Sequence, residues 1–314
     1  MNKILTGLAA LLGAASITAN ANAGNFCLNE EQCDEFNEEA MYQMESSGAV
    51  ECDSSESYCY VRESTINEIE RYNEGVHHHG SLNLDVHVMD EGNAEGTNAR
   101  AFTSNTIVFN KDFIEALHYA ARGYVYKLSN PDFDITGYFR SIASAANYDS
   151  DIEEPWDYAM SDVRALDYGL ASKYERSLVA MALAHEAAHV KYEDNEEQIC
   201  ATYANYGFFP ADEVAGMLVN SSLSRSAEER ADRFGAKFLV STCTSETNEE
   251  GAVALSNCTY EPDSALVLFK FIDAVESEIG RDLSPFATHP PAWDRFDNIK
   301  GTLRANNVDI SAVC

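Results

Sequence analysis

The chain has 314 residues, with 21 Lys and Arg against 52 Asp and Glu and a formal net charge of −31. A surface that acidic repels phosphate backbones and anionic lipid alike, which excludes nucleic acid as a partner. Beyond the first two dozen residues no stretch is apolar and long enough to cross a bilayer, so the mature chain is expected to carry no membrane span.

Residues 1–23, MNKILTGLAALLGAASITANANA, read as a signal peptide: one lysine, an apolar run, and the small-x-small pattern Ala21-Asn22-Ala23. The run from Ile4 to Ala19 is 16 residues, short for a membrane helix and broken by Gly and Ser. Its removal leaves 291 residues, enough for one sizeable core or two small ones, in the periplasm or outside the cell. All eight cysteines (Cys27, Cys33, Cys52, Cys59, Cys200, Cys243, Cys258 and Cys314) lie beyond that point. An even count without CxxC pairs, in an exported chain, favours four disulfides over a cysteine metal site. Short separations favour Cys27–Cys33, Cys52–Cys59 and Cys243–Cys258, which leaves Cys200–Cys314.

Residues 24–75 form an acidic, cysteine-containing helical segment. Two amphipathic helices are expected, near 33–46 and 60–73, the second with Ile66 and Ile69 three apart on one face. From Leu82 the period becomes two: Leu82, Leu84, Val86 and Val88 alternate with Asn83, Asp85 and His87, which is strand spacing. A turn-rich piece leads to a second strand near Thr106–Phe109 and then a helix over 111–128, ended by Asn130-Pro131. Residues 129–170 mix acids with Phe133, Tyr138, Phe139, Tyr148, Trp156 and Tyr158. They read as an inserted helical excursion that covers the substrate groove rather than joining the core. A long helix is expected over 173–192, and others near 211–220, 225–241, 262–279 and 291–304. The fold class is α+β, a mostly helical domain over 76–314 with a small β-sheet.

The chemistry concentrates in His185-Glu186-Ala187-Ala188-His189, an HExxH pattern. On a helix, positions i and i+4 share a face, so two imidazoles can converge on one ion. A carboxylate beside the first histidine can act as base on a water that a zinc ion acidifies. Catalytic zinc takes three protein ligands, so a third is needed. Glu228, 39 residues after His189, can supply an oxygen, with Glu229 as the rival. Asp232, one helical turn beyond Glu228, is placed to accept a hydrogen bond from a ligand imidazole and so fix its tautomer.

Three motifs in order, HEAAH, then Glu228-Glu229-Arg230-Ala231-Asp232, then Thr288-His289-Pro290-Pro291-Ala292-Trp293-Asp294-Arg295, resemble the HtpX-like and CAAX-prenyl-endopeptidase-like zinc metallopeptidases. The stretch Asn98-Ala99-Arg100-Ala101-Phe102 is similar to that family's edge-strand region. The resemblance implies a compact zincin-type (gluzincin) domain that cleaves peptide bonds with one Zn²⁺. It implies His185, His189 and Glu228 as metal ligands, Glu186 as general base and acid, and Asp232 as their support. It also brings His289 and Arg295 near the active site. For these two, three roles stay open: stabilising the oxyanion, a latch in which His289 occupies the metal's open position, or simple packing. The insertion at 129–170 departs from the family pattern.

Other features read more plainly. His77-His78-His79 suits a surface turn, since adjacent side chains diverge, and His87 and His118 suit surface or packing positions. The sequons at Asn220 and Asn257 carry little weight behind a bacterial-looking leader. The functional expectation is an endopeptidase acting on polypeptides. The alternative from another class is a periplasmic chaperone or envelope assembly factor with a regulatory zinc site.

Overall fold

The structure is a computed structural model, and it describes residues 49–51, 57–77, 81–89, 99–101, 105–147, 166–194, 225–247, 253–279 and 290–313. Among them are a four-stranded sheet, a two-stranded hairpin and seven helices. The alternating run after Leu82 becomes strand β2 (Asp85–Met89), flanked by β1 (Ala49–Glu51) and β4 (Thr106–Asn110), with β3 (Ala99–Ala101) beyond β4. The order is β1-β2-β4-β3, with β2 and β4 parallel and both outer pairs antiparallel. All five residues of β4 are buried, as suits an inner strand covered on both faces. The short β3 is an edge.

The helix α1 (Ser57–His77) precedes this sheet, and α2 (Lys111–Ser129) follows β4 with no intervening loop. The Asn110 side chain accepts from the Asp112 backbone N–H at 2.8 Å, capping the first turn of α2. Helix α1 runs unbroken past residue 75, where the sequence suggested a domain boundary. Its Ile69 belongs to the same core cluster as the later described helices, and its Thr65 hydroxyl lies 3.1 Å from that of Tyr260.

Residues Ile135–Asn147 form α3, and here the expectation of a cover outside the core fails. Tyr138, Phe139, Ile142 and Ala143 are buried, and Phe139 meets Phe271 edge-on at 5.5 Å. Tyr138 lies where a Cβ on Gly123 would stand, so only glycine lets α2 and α3 come this close. The helical period of those four positions is what carries them inward. Residues 148–165 lie outside the described residues.

The central element is α4 (Tyr168–Lys191), capped by Asp167, whose side chain accepts from Leu170 N–H at 3.0 Å. That cap starts the helix five residues before the expected Lys173. Every residue from Ser177 to Val190 is buried, so this helix is covered on all sides rather than along one stripe. Five alanines between 180 and 188 let neighbours approach. Against it lies α5 (Arg225–Ser241), where a Cβ at Gly235 would stand 2.8 Å from the Met181 sulfur and 3.2 Å from its carbonyl oxygen. Glycine there sets the closeness of the two helices that carry the site.

The hairpin of β5 (Thr244–Thr247) and β6 (Val253–Ser256) is closed at its base by the expected Cys243–Cys258 disulfide. Helix α6 (Ser264–Ile279) and helix α7 (Ala292–Ala305) complete the core. The other expected disulfides, and the expected helices at 33–46 and 211–220, lie outside the described residues. No helix among the described residues is long and apolar enough to cross a membrane.

Candidate metal centre

One turn of α4 separates His185 from His189, and their rings stand edge-to-face with centroids 4.7 Å apart. Their Nε2 atoms face each other at 3.1 Å. Glu228, in the first turn of α5, completes a triangle: Oε2 lies 3.3 Å from His185 Nε2 and Oε1 3.5 Å from His189 Nε2. Tetrahedral zinc with bonds of ~2.0–2.1 Å needs ligand atoms about 3.3–3.4 Å apart. The triangle fits that requirement, and two imidazoles with one carboxylate are a donor set zinc takes readily. The three side chains are all buried, and together they form the group among the described residues able to hold a metal ion. Glu229 is not part of it: it points outward, 3.9 Å from Arg233.

The Glu186 carboxylate is buried beside this triangle. Its Oε2 accepts from the Ala101 backbone N–H at 2.6 Å, and its Oε1 lies 4.0 Å from His185 Nε2. The edge strand β3 and the helix α4 therefore share this carboxylate.

Behind His185, Asp232 Oδ1 stands 2.9 Å from Nδ1. Arg295, in the first turn of α7, donates to both oxygens of Asp232, from Nε at 3.0 Å and from a terminal nitrogen at 2.7 Å. The same guanidinium is 3.4 Å from Glu228 Oε2 and sits 4.5 Å above the Phe269 ring. Burial pushes the Asp232 carboxyl up, but Arg295 and His185 outweigh it and hold the carboxyl below its usual range. Burial pulls His185 down, yet hydrogen bonds to Asp232 and Glu228 raise it to about 9. Burial also works against the Arg295 charge, and Asp232 and Glu228 more than restore it. Asp232 and Glu228 thus face His185 and Arg295 within one buried cluster of charge.

A terminal nitrogen of Arg295 contacts Asp232 and Glu228 and lies 3.3 Å from both nitrogens of His185, a geometry that holds the ligand side chains. His289 lies outside the described residues. His87 is bonded to Asp85 at 2.9 Å and His118 to Glu175 at 2.9 Å, and neither belongs to the triangle. Of the histidine run, His78 and His79 lie outside the described residues.

Beside His185, Glu186 and Arg295 opens a pocket walled by Phe113, Met181, Leu268, Phe269 and Ile272, apolar except at that polar end. The residue that sequence reasoning missed is Asp194. Its Oδ2 lies 2.9 Å from His189 Nδ1, and Arg230 bonds its other oxygen. The signal was an aspartate five residues past the second histidine, but the helix ends between them, so no helical spacing pointed to it.

The fold and site together define a buried two-histidine, one-glutamate metal centre with a carboxylate at its side, the makings of a metal-dependent hydrolase. The profile of peptidase family M48 matches residues 97–303, two thirds of the chain, and the chain belongs to that family of metallopeptidases. Searches of the curated proteins and of the solved structures returned no significant match.

Proposed function

We propose that the protein is a zinc-dependent endopeptidase that cleaves polypeptides in the periplasm or outside the cell. The observation that carries this reading is the His185–His189–Glu228 triangle with Glu186 poised beside it. Zinc, when bound, supplies the Lewis acidity that makes a water a nucleophile near neutral pH and polarises a carbonyl. Everything else falls to the chain. Glu186 takes the proton of the attacking water and returns it to the leaving amine, with Ala101 N–H fixing the carboxylate's direction. Asp232 keeps the His185 proton on Nδ1, because a carboxylate only accepts, and so turns Nε2 toward the metal. Arg295 holds Asp232 in place with two parallel hydrogen bonds.

The edge strand β3, beside Glu186, is a rail on which a substrate in extended conformation can lie. The adjoining pocket is apolar, so cleavage next to an apolar residue is expected. The Cys243–Cys258 disulfide supports an oxidising compartment, as does the leader at residues 1–23. A chaperone or assembly factor with a regulatory zinc site has no use for a buried carboxylate fixed beside the ligands.

The test is hydrolysis of casein by the zinc-loaded protein and by Glu186→Gln. Loss of ~10²–10⁴ in rate is expected with zinc retained, since the amide cannot take the proton while all three ligands remain. Near-normal turnover in the zinc-replete variant overturns the assignment.

A further inference from the structure

The two ligand imidazoles are backed differently in sequence but alike in space. His185 rests on Asp232, which rests on Arg295. His189 rests on Asp194, which rests on Arg230. We infer that Asp194 and Arg230 form a second positioning pair, which fixes the tautomer and ring direction of His189 for the metal. This rests on the zinc reading above.

The route by which Asp194 arrives is specific. Helix α4 ends at Lys191 with Tyr192 as its cap, and Glu193 takes a left-handed conformation, with φ of 56°. That turn brings the chain back beneath the last helical turn, and the Asp194 side chain returns to His189 with only 3% exposure. Its two oxygens then have separate tasks: Oδ2 faces His189 Nδ1 at 2.9 Å, and Oδ1 accepts from an Arg230 terminal nitrogen. A carboxylate can only accept, so Nδ1 bears the hydrogen and the Nε2 lone pair faces His185 Nε2, 3.1 Å away. Asp194 therefore aims the His189 Nε2 lone pair at the centre of the triangle that His185 and Glu228 complete.

Arg230 is two residues beyond Glu228 on the same helix. Its guanidinium lies 4.5 Å above the ring of Tyr192, the residue that caps α4, as well as bonding Asp194. One side chain of α5 thus ties down the turn that orients His189, while another supplies the third ligand. The placement of Glu228 and of His189 is coupled through Asp194.

The experiment measures zinc dissociation constants by competition with a chromogenic chelator, alongside the melting temperature of the zinc-free proteins. Asp194→Ala should weaken zinc binding 10- to 100-fold, as loss of a partner behind a metal-bound histidine typically does. Asp194→Asn keeps the shape and an acceptor oxygen and should fall short of that loss, with an unchanged zinc-free melting temperature. Arg230→Ala should weaken binding less than Asp194→Ala, and the double variant should be no worse than Asp194→Ala, because both act through one oxygen pair. Wild-type affinity in Asp194→Ala and Arg230→Ala overturns the inference, as does a double variant whose losses multiply. A wild-type protein that binds no zinc overturns the metal reading itself, a different outcome. Should Asp194→Ala fail to fold, the Asp194→Asn and Arg230→Ala affinities still decide.

Discussion

Glu228 and Glu229 are neighbours in sequence, yet one helical step of about 100° gives them opposite surroundings. Glu228 is fully buried against two imidazoles, whereas Glu229 faces solvent beside Arg233. Glu228→Ala should lose metal and activity together, and Glu229→Ala should keep both, since exposed pairs at this spacing contribute only ~0.3–0.5 kcal/mol. Metal content measured on the two purified variants checks this, and zinc retained by Glu228→Ala with loss in Glu229→Ala would move the ligand by one residue. Of the residues at the centre, His185, Glu186, His189, Glu228 and Asp232 were legible in the sequence. His185 and His189, like Glu228 and Asp232, lie one helical turn apart and so share faces, whereas the choice of Glu228 over Glu229 came from the resemblance. Asp194 was not legible, because its position depends on a left-handed turn at a non-glycine residue. Nor was the commitment of Arg295 to Asp232, a contact across 63 residues between two different helices.

At the scale of elements, α3 turns an expected cover into a wall. Phe139 and Ile142 are 1% and 0% exposed, wedged between α2 and α6. Deleting Ile135–Asn147 should therefore abolish folding rather than alter substrate size preference. The milder Phe139→Ala should cost ~3–5 kcal/mol, read from denaturant melts. The helix existed in the sequence pattern, but its aromatic residues stood among acids and irregular flanks that gave no sign of what they pack against. The edge position of β3 came from the resemblance at Asn98–Phe102, but that β2 pairs parallel with β4 is set by long-range pairing, which strand periodicity does not encode. A second element-scale feature is the start of α6, where Asp263 accepts hydrogen bonds from Tyr174 at 2.9 Å and Tyr124 at 3.3 Å. Burial pushes its carboxyl up to about 6 from an ordinary 3.8, against the opposing pull of the Tyr174 hydrogen bond. The folded protein thus holds this proton more tightly than the unfolded chain does. Its contribution to stability is fully present below about pH 4 and is lost as pH rises through about 6, a change on the order of 3 kcal/mol. Against Asp263→Asn, the wild type should lose relative stability across that window. A stability difference that stays flat between pH 4 and pH 6 would show that the carboxyl titrates normally.

On the larger scale, one core runs through the described residues from α1 to α7, and α4 is its axis. The site lies where α4 meets α5, and its three metal-facing side chains come from points 39 or more residues apart in the chain on one side and a single turn apart on the other. An unfolded chain cannot hold those donors together, so a metal ion at this triangle favours the native state. Metal concentration thereby becomes a stability variable: free metal ion at a hundredfold over its dissociation constant adds about 2.7 kcal/mol to the native state. A chelator should lower the melting temperature of the wild type while leaving Glu228→Ala almost unmoved, a comparison that scanning calorimetry makes directly. Equal shifts in both proteins would mean that the chelator acts elsewhere. By mass action, then, the ion that serves the chemistry is also a clasp between two helices, and scarcity of the metal exposes the protein to unfolding as well as to idleness.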